Sequence, residues 1–195
     1  GHLTAEAARA TGLTEGTPVA GGAADLIASA LGAGVTKKGD VLLKFGGSVD
    51  VLIATDRAVP DARMFLDYHL VPGLYMPNGC MSTGGSGLNW FARQFCGGLA
   101  PEAKAKGLTL HQYLDSLAAE IPAGAEGLTI LPYFLGEKTP IHDPLVRGAV
   151  SGLSLAHGLG HLWRALLEAY GYAIAHHMEV LRDMGHDPRR YYVSD

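Results

Sequence analysis

Apolar positions dominate the stretch GAVSGLSLAHGLGHLWRALLEAYG, residues 148–171, around which the chain is organised. A small-residue apolar run, Gly148 to Leu153, predicts a strand. Ser154 and His157 follow as turn and capping candidates. Leu159, Leu162, Leu166, Tyr170, Ile174 and Leu181 then recur at helical spacing. Trp163, Ala165 and Leu167 carry the apolar surface onto neighbouring faces. Such a helix is buried on more than one side, between a sheet and another element. His161 and Glu168 are its polar exceptions.

The rest of the chain reads in order. Residues 1–16 are polar and small, with a turn at Thr11-Gly12-Leu13. Thr17 to Gly22 reads as a short buried strand. Asp25 is an N-cap candidate for a helix from Leu26 to Leu31 that ends at Gly32-Ala33-Gly34. Residues 35–40 are polar and read as a linker or domain boundary. Val41 to Phe45 and Val49 to Ala54 flank Gly46-Gly47-Ser48, which predicts a hairpin. Residues 56–73 read as a loop or irregular strand, and Leu74 to Met81 as a third strand. Gly84-Gly85-Ser86 leads into a helix from Gly87 to Phe95, closed by Gly97-Gly98. Thr109 with Gln112 forms a capping box for a helix from Leu110 to Ile121, with Leu108 and Tyr113 as its hydrophobic staple. Leu128 to Phe134 is an apolar strand, residues 136–147 are a polar loop, and Tyr191 to Asp195 form a last strand.

Composition narrows the class. Hydrophobic residues are 48% of 195, enough for a substantial core. One large domain, or one domain with an appendage, is expected. The net charge of −4 provides no basic surface and argues against a nucleic-acid binder. Cys80 and Cys96 stand in no disulfide or metal pattern, which makes a reducing cytoplasm the default. No apolar run reaches membrane-spanning length, and no secretory signal is visible. The chain starts at Gly1 and stops in a strand, so a fragment of a larger enzyme is expected.

Several constellations could carry chemistry. A carboxylate at a helix start after a glycine turn, as at Asp25, can act as a general base; a plain N-cap is the alternative. The turn KFGGSVD, residues 44–50, can aim backbone N–H groups at an anion, or be a simple hairpin turn. Glycines opening the helix at STGGSGLNWFAR, residues 82–93, suit phosphate. Glu137, Asp143 and Arg147 read as scaffold that pairs within its loop. His157 and His161 lie four apart but lack a third ligand, so no metal site is expected. Neither a Walker loop nor a Gly-x-Ser-x-Gly elbow is present.

The spaced set Gly148, Val150, Gly152, Leu153, His161, Leu162, Ala165, Leu167 and Glu168 resembles the second signature of the FGGY family of carbohydrate kinases, with Leu166 a departure. The resemblance implies an α/β, actin-like ATPase (ribonuclease H-like) fold, truncated at both ends. Residues 1–38 would be the tail of the sugar-binding domain, and residues 39–195 most of the ATP-binding domain. Asp25 falls on the base that activates the sugar hydroxyl. Gly46 and Ser48 match the family's glycine-threonine-serine-glycine phosphate loop, whereas Gly47 replaces its threonine and Val49 its last glycine. Gly85 and Asn89 fall on nucleotide-contacting positions, and Trp90 on a core aromatic. Residues 131–148 resemble the family's Gly-Glu-Arg-x-Pro loop, with Lys138 in place of the arginine. ATP with Mg²⁺ and a small sugar, a ketose such as xylulose, are the implied reactants. No nucleic-acid or membrane partner is implied, and a homodimer is an allowed assembly. The rival expectation is a nucleotide-binding module impaired in catalysis by Gly47, with a regulatory or structural role.

Overall fold

The computed structural model describes all 195 residues. Its centre is a five-stranded sheet in the order β3-β4-β2-β1-β7. The strands are β1 (Asp40–Phe45), β2 (Val49–Ile53), β3 (Phe65–Tyr68), β4 (Tyr75–Met81) and β7 (Arg190–Ser194). The hairpin forms as predicted, with Phe45 opposite Val49. β2 and β4 are antiparallel, and β1 and β7 are parallel. The carboxyl ends of β1, β4 and β7 therefore meet at one end of the sheet, where open α/β sheets bind ligands.

Alternation along the strands sends side chains to two buried faces. On one face Val41, Val51, Ile53 and Met64 pack on Met178, Val180 and Leu181 of α6 (Leu159–Asp183). On the other, Leu42, Leu52 and Met76 pack on Ile27 and Ala30 of α2 (Asp25–Gly32). A further core joins α6 to α3 (Gly85–Phe95) and α5 (Leu110–Ala119) through Leu114, Trp163, Leu166 and Tyr170. The long apolar helix thus lies between a sheet and other helices, as its all-round pattern requires. Its buried Trp163 indole donates to Asp115 at 2.7 Å, and its polar Glu168 accepts from Arg164 at 2.6 Å and from the Gly124 N–H. The predicted capping box forms at Thr109 and Gln112.

Other expectations are corrected. Thr17 to Gly22 is exposed, and only Pro18 makes a bridge, to His2; with no neighbouring strand it has nothing to bury against. Residues 1–16 contain a helix, α1 (Ala5–Thr11), that buries only Ala8 and so leaves no apolar stripe to read. Asp25 is the first residue of α2, and Ala24 is the cap. Residues 35–40 are no slack linker. Val35 is buried in the α2 core, and the buried Asp40 carboxylate accepts from the Thr36 and Lys37 amides at 3.1 and 2.9 Å. The run 128–134 shortens to β5 (Thr129–Leu131), and a helix, α4 (Ala100–Ala105), precedes α5 unpredicted.

Gly148 to Leu153 contributes β6 (Ala149–Ser151), but not to the main sheet. It pairs with β5 in a separate two-stranded ribbon and is exposed along its length. Its glycines serve close packing there: a Cβ at Gly148 would lie 2.5 Å from the Phe134 ring. Trp90 is 36% exposed and stacks near Phe95 and Phe134 at the surface, not in the core. Glu137 and Asp143 pair through a backbone bridge, the Glu137 N–H donating to the Asp143 carbonyl at 2.8 Å, but the side chains of Glu137, Asp143 and Arg147 bond backbone groups and not one another.

Candidate functional site

The hairpin turn and the start of α3 meet at the carboxyl end of the sheet. Their contact is almost entirely backbone. The Gly47 carbonyl accepts from the Gly84 N–H at 2.8 Å, the Ser86 N–H at 3.1 Å and the Ser86 hydroxyl at 2.6 Å. The Gly46 carbonyl accepts from the Gly85 N–H at 3.0 Å. Glycine is required for this approach: a Cβ at Gly85 would lie 2.8 Å from the Gly46 oxygen, and one at Gly84 2.8 Å from Ser48 backbone.

This crossing occupies the start of α3. The first amides of α3 are not free to bind an anion, because the turn's carbonyls already use them. The free donors are on the turn itself. The N–H groups of Gly47 and Ser48 have no acceptor, nor does the Ser48 hydroxyl, and Gly47 is exposed. Adjacent amides with no internal partner form an anion-binding concavity. The contact with α3 fixes the turn's carbonyls away from that concavity. A threonine side chain would also fit at Gly47, whose backbone is not left-handed and whose Cβ would meet nothing closer than Ser86 at 4.0 Å.

Asp25 opens α2 beside this turn. Its Oδ2 lies 3.1 Å from Nζ of Lys44, two residues before Gly46 on β1. The exposures differ: 16% for the Lys44 side chain and 85% for that of Asp25. The lysine is held between strand and helix while the carboxylate faces solvent. The hydrogen bond and charge of Lys44 hold the Asp25 pKa below the usual carboxylate range, with the Leu26 amide assisting. Asp25 is thus ionised and open to a proton donor at neutral pH.

The structure brings Gly46, Gly47, Ser48 and Gly85 into direct contact, and Lys44 ties Asp25 to the same end of the sheet. Asn89 stands apart, exposed one turn further along α3 with no side-chain hydrogen bond. Two hollows flank the start of α3. One, of about 270 Å³, has the Thr83 and Ser86 hydroxyls beside Trp90 and Phe134. The other, of about 340 Å³, is lined by Phe45, Leu88, Leu167 and Ile174 and has no ionisable side chain but Tyr170. Sequence reading missed Lys44 and Ser86. Lys44 left a trace, as the one charge in the apolar run Val41 to Phe45; Ser86 left none.

A second polar cluster lies near Cys80. The buried Glu137 carboxylate accepts from the Ser82 and Lys138 amides at 2.7 and 2.8 Å. Thr139 Oγ1 accepts from the Cys80 N–H at 2.6 Å and lies 3.0 Å from His177 Nε2. His177 Nδ1 lies 2.8 Å from the Ala173 carbonyl and so carries the proton, which leaves His177 Nε2 at 3.0 Å and the Cys80 carbonyl at 3.2 Å to share the one Thr139 hydroxyl proton. Burial keeps this imidazole below its ordinary pKa, and hence neutral. Burial also pushes the Cys80 thiol up to about 11, which makes it a poor nucleophile. His157 and His161 act as local caps, accepting from the Ser154 and Gly158 amides. No three His, Cys, Asp or Glu side chains gather in metal-binding proximity.

Comparison with known proteins gives this end of the sheet its context. The chain is 32% identical over 187 residues to xylulose kinase of Bacillus subtilis, covering 95% of this chain and 36% of that protein. It is 31% identical over 173 residues to gluconokinase of Bacillus licheniformis, covering 88% and 34%. The solved structure of xylulose kinase from Rhodospirillum rubrum superposes with a TM-score of 0.84 at 59% identity, over 100% of this chain and 38% of that one. The chain therefore spans little more than a third of the relatives' length. No helix is long and apolar enough to cross a membrane. The α/β fold is that of the actin-like sugar kinases. Residues 42–194 match the profile described as "FGGY family of carbohydrate kinases, C-terminal domain", and the chain belongs to that family of phosphotransferases.

Proposed function

We propose that this chain is part of an ATP-dependent sugar kinase, with residues 1–38 belonging to the sugar-binding domain and residues 39–195 to the ATP-binding domain. The observation that carries the reading is the glycine turn with its free Gly47 and Ser48 amides, held beside an ionised, solvent-facing Asp25. The amides bind a phosphate oxygen of ATP, and Gly46 and Gly85 keep the turn in place. Asn89 contacts the nucleotide further along α3. A sugar hydroxyl gives its proton to Asp25. Its oxygen bonds to the γ-phosphorus as the bond to the β-phosphate oxygen breaks, releasing ADP. Such catalysis is mostly positioning and charge stabilisation. Mg²⁺ would be carried mainly by the phosphates of ATP and would neutralise their charge.

A ketose of the xylulose type is the proposed acceptor, supported by the names of the relatives. The proposed setting is the cytoplasm, where Cys80 and Cys96 remain thiols. A second reading is a nucleotide-binding module without turnover, favoured by Gly47, which has no hydroxyl to offer the terminal phosphate. ADP release by a full-length protein carrying this sequence, measured across a panel of ketoses and aldonates, separates the two. Sugar-dependent turnover supports the kinase. Nucleotide binding without turnover on any sugar supports the module.

A further inference from the structure

Lys44 is the only charge within the apolar run of β1, and the register places it in a polar row. It lies opposite Asp50 of β2, which in turn lies opposite Cys80 of β4. The row is on the same sheet face as Leu42 and Leu52, two positions along, at the end where α2 begins with Asp25. Where α2 covers this face the residues are apolar; where α2 begins they turn charged. Lys44 stands at that boundary, between the Asp25 carboxylate and the glycine turn. It is largely covered yet bonds one carboxylate only, at 3.1 Å.

An exposed ion pair of this kind adds little to stability. A covered lysine reaching an exposed carboxylate is better explained by what it does to the carboxylate. Resting on the sugar-kinase reading, we propose that Lys44 is a positioning residue for the phosphoryl transfer. It fixes the orientation of Asp25 towards the acceptor hydroxyl and keeps it ionised beside a polyanionic substrate. The second part matters because phosphate charge raises the pKa of a nearby carboxylate, and a protonated Asp25 cannot accept the hydroxyl proton. The other titratable groups on this face are Asp50, Cys80 and Lys138, whose Nζ lies 3.7 Å from the Cys80 sulfur, and Asp67 and His69 across the hollow beside residues 22–27. His69 is kept neutral by burial and bonds the Val35 carbonyl, and Asp67 accepts from Asn78. Lys44 is the cation that reaches Asp25, while Lys138 is turned to the Cys80 sulfur.

The test compares Lys44→Met and Lys44→Arg with the parent in a full-length protein, as sugar-dependent ADP release from pH 5 to 9. Nucleotide affinity is measured in parallel. Lys44→Met should lower kcat by about 10- to 100-fold, the scale of a misplaced catalytic group. It should also move the acidic limb of the kcat profile to higher pH, with ATP affinity unchanged. Lys44→Arg keeps the charge and should return the limb close to its original position. Wild-type kcat in Lys44→Met, or a fall in kcat with an unmoved limb, overturns the positioning role. A parent protein that binds nucleotide but turns over no sugar overturns the kinase reading, and the role of Lys44 with it.

Discussion

The glycine turn at residues 46–48 and the latch around Thr139 are built alike and serve opposite ends. In both, distant segments are joined by backbone groups. At the latch, the polar groups named above all find partners: Glu137 bonds two amides, Thr139 bonds Cys80 and His177, and His177 bonds Ala173. Glu137, Thr139 and His177 are themselves buried. At the turn, the carbonyls are all engaged and the Gly47 and Ser48 amides are not. Buried polar groups in native proteins are nearly always paired, so the saturated cluster reads as scaffold. Unused donors on a rigid, accessible loop read as a place for a ligand. Both regions contain a carboxylate among backbone amides, and residue type alone does not tell them apart. Satisfaction does.

The largest effect should come from the ligand end. Asp25→Asn in a full-length protein should remove sugar-dependent turnover by about 10²–10⁴-fold, the usual worth of a general base. Nucleotide affinity should stay the same. Asparagine keeps the shape and can still accept from Lys44, so folding should survive. Unchanged kcat would make Asp25 a surface ion pair only. Lost ATP affinity would place it on the wrong side of the reaction.

The saturated end should respond in stability instead. Thr139→Val keeps the volume but leaves the Cys80 N–H and His177 Nε2 without partners. The cost should be about 1–3 kcal/mol for each group left unsatisfied, read by chemical denaturation. A loss under about 0.5 kcal/mol, the size of an ordinary surface change, would mean that the latch is not saturated structure.

A smaller effect should follow pH. Burial holds His69, His177 and His186 below the ordinary histidine pKa in the folded chain. In the unfolded chain they titrate near ~6.5. Between the lowered folded values and that point the unfolded chain binds more protons, so stability there rises with pH. Their contribution is complete above pH ~6.5 and is lost as pH falls towards the folded values. A melting temperature independent of pH from 8 to 5 would contradict this.

The central elements were legible because their signals are local and periodic. The hairpin, the capping box at Thr109 and the long helix from Leu159 follow from alternation, capping chemistry and helical spacing. An element of few buried residues was not legible: α1 buries one side chain. The destination of Gly148 to Leu153 was hidden for a related reason, since a small-residue run does not specify which sheet it joins. At the site, glycines pointed to a close backbone approach, but not to which partner would give its amides and which its carbonyls. That depends on the crossing of segments nearly forty residues apart, which no local pattern records. Lys44 was visible as a charge out of place, but its partner was not.

The claim that the turn, and not the helix start, holds the phosphate can be tested on the 195-residue chain itself. The amide resonances of residues 46–48 and 84–86 would be followed by NMR as Mg·ATP is added. The account predicts large, saturable shifts at Gly47 and Ser48, with smaller ones at Gly84, Gly85 and Ser86, whose protons are already donated to the turn. Shifts centred on Gly84 to Ser86 with Gly47 and Ser48 unmoved, or no saturable shift at either, would contradict it.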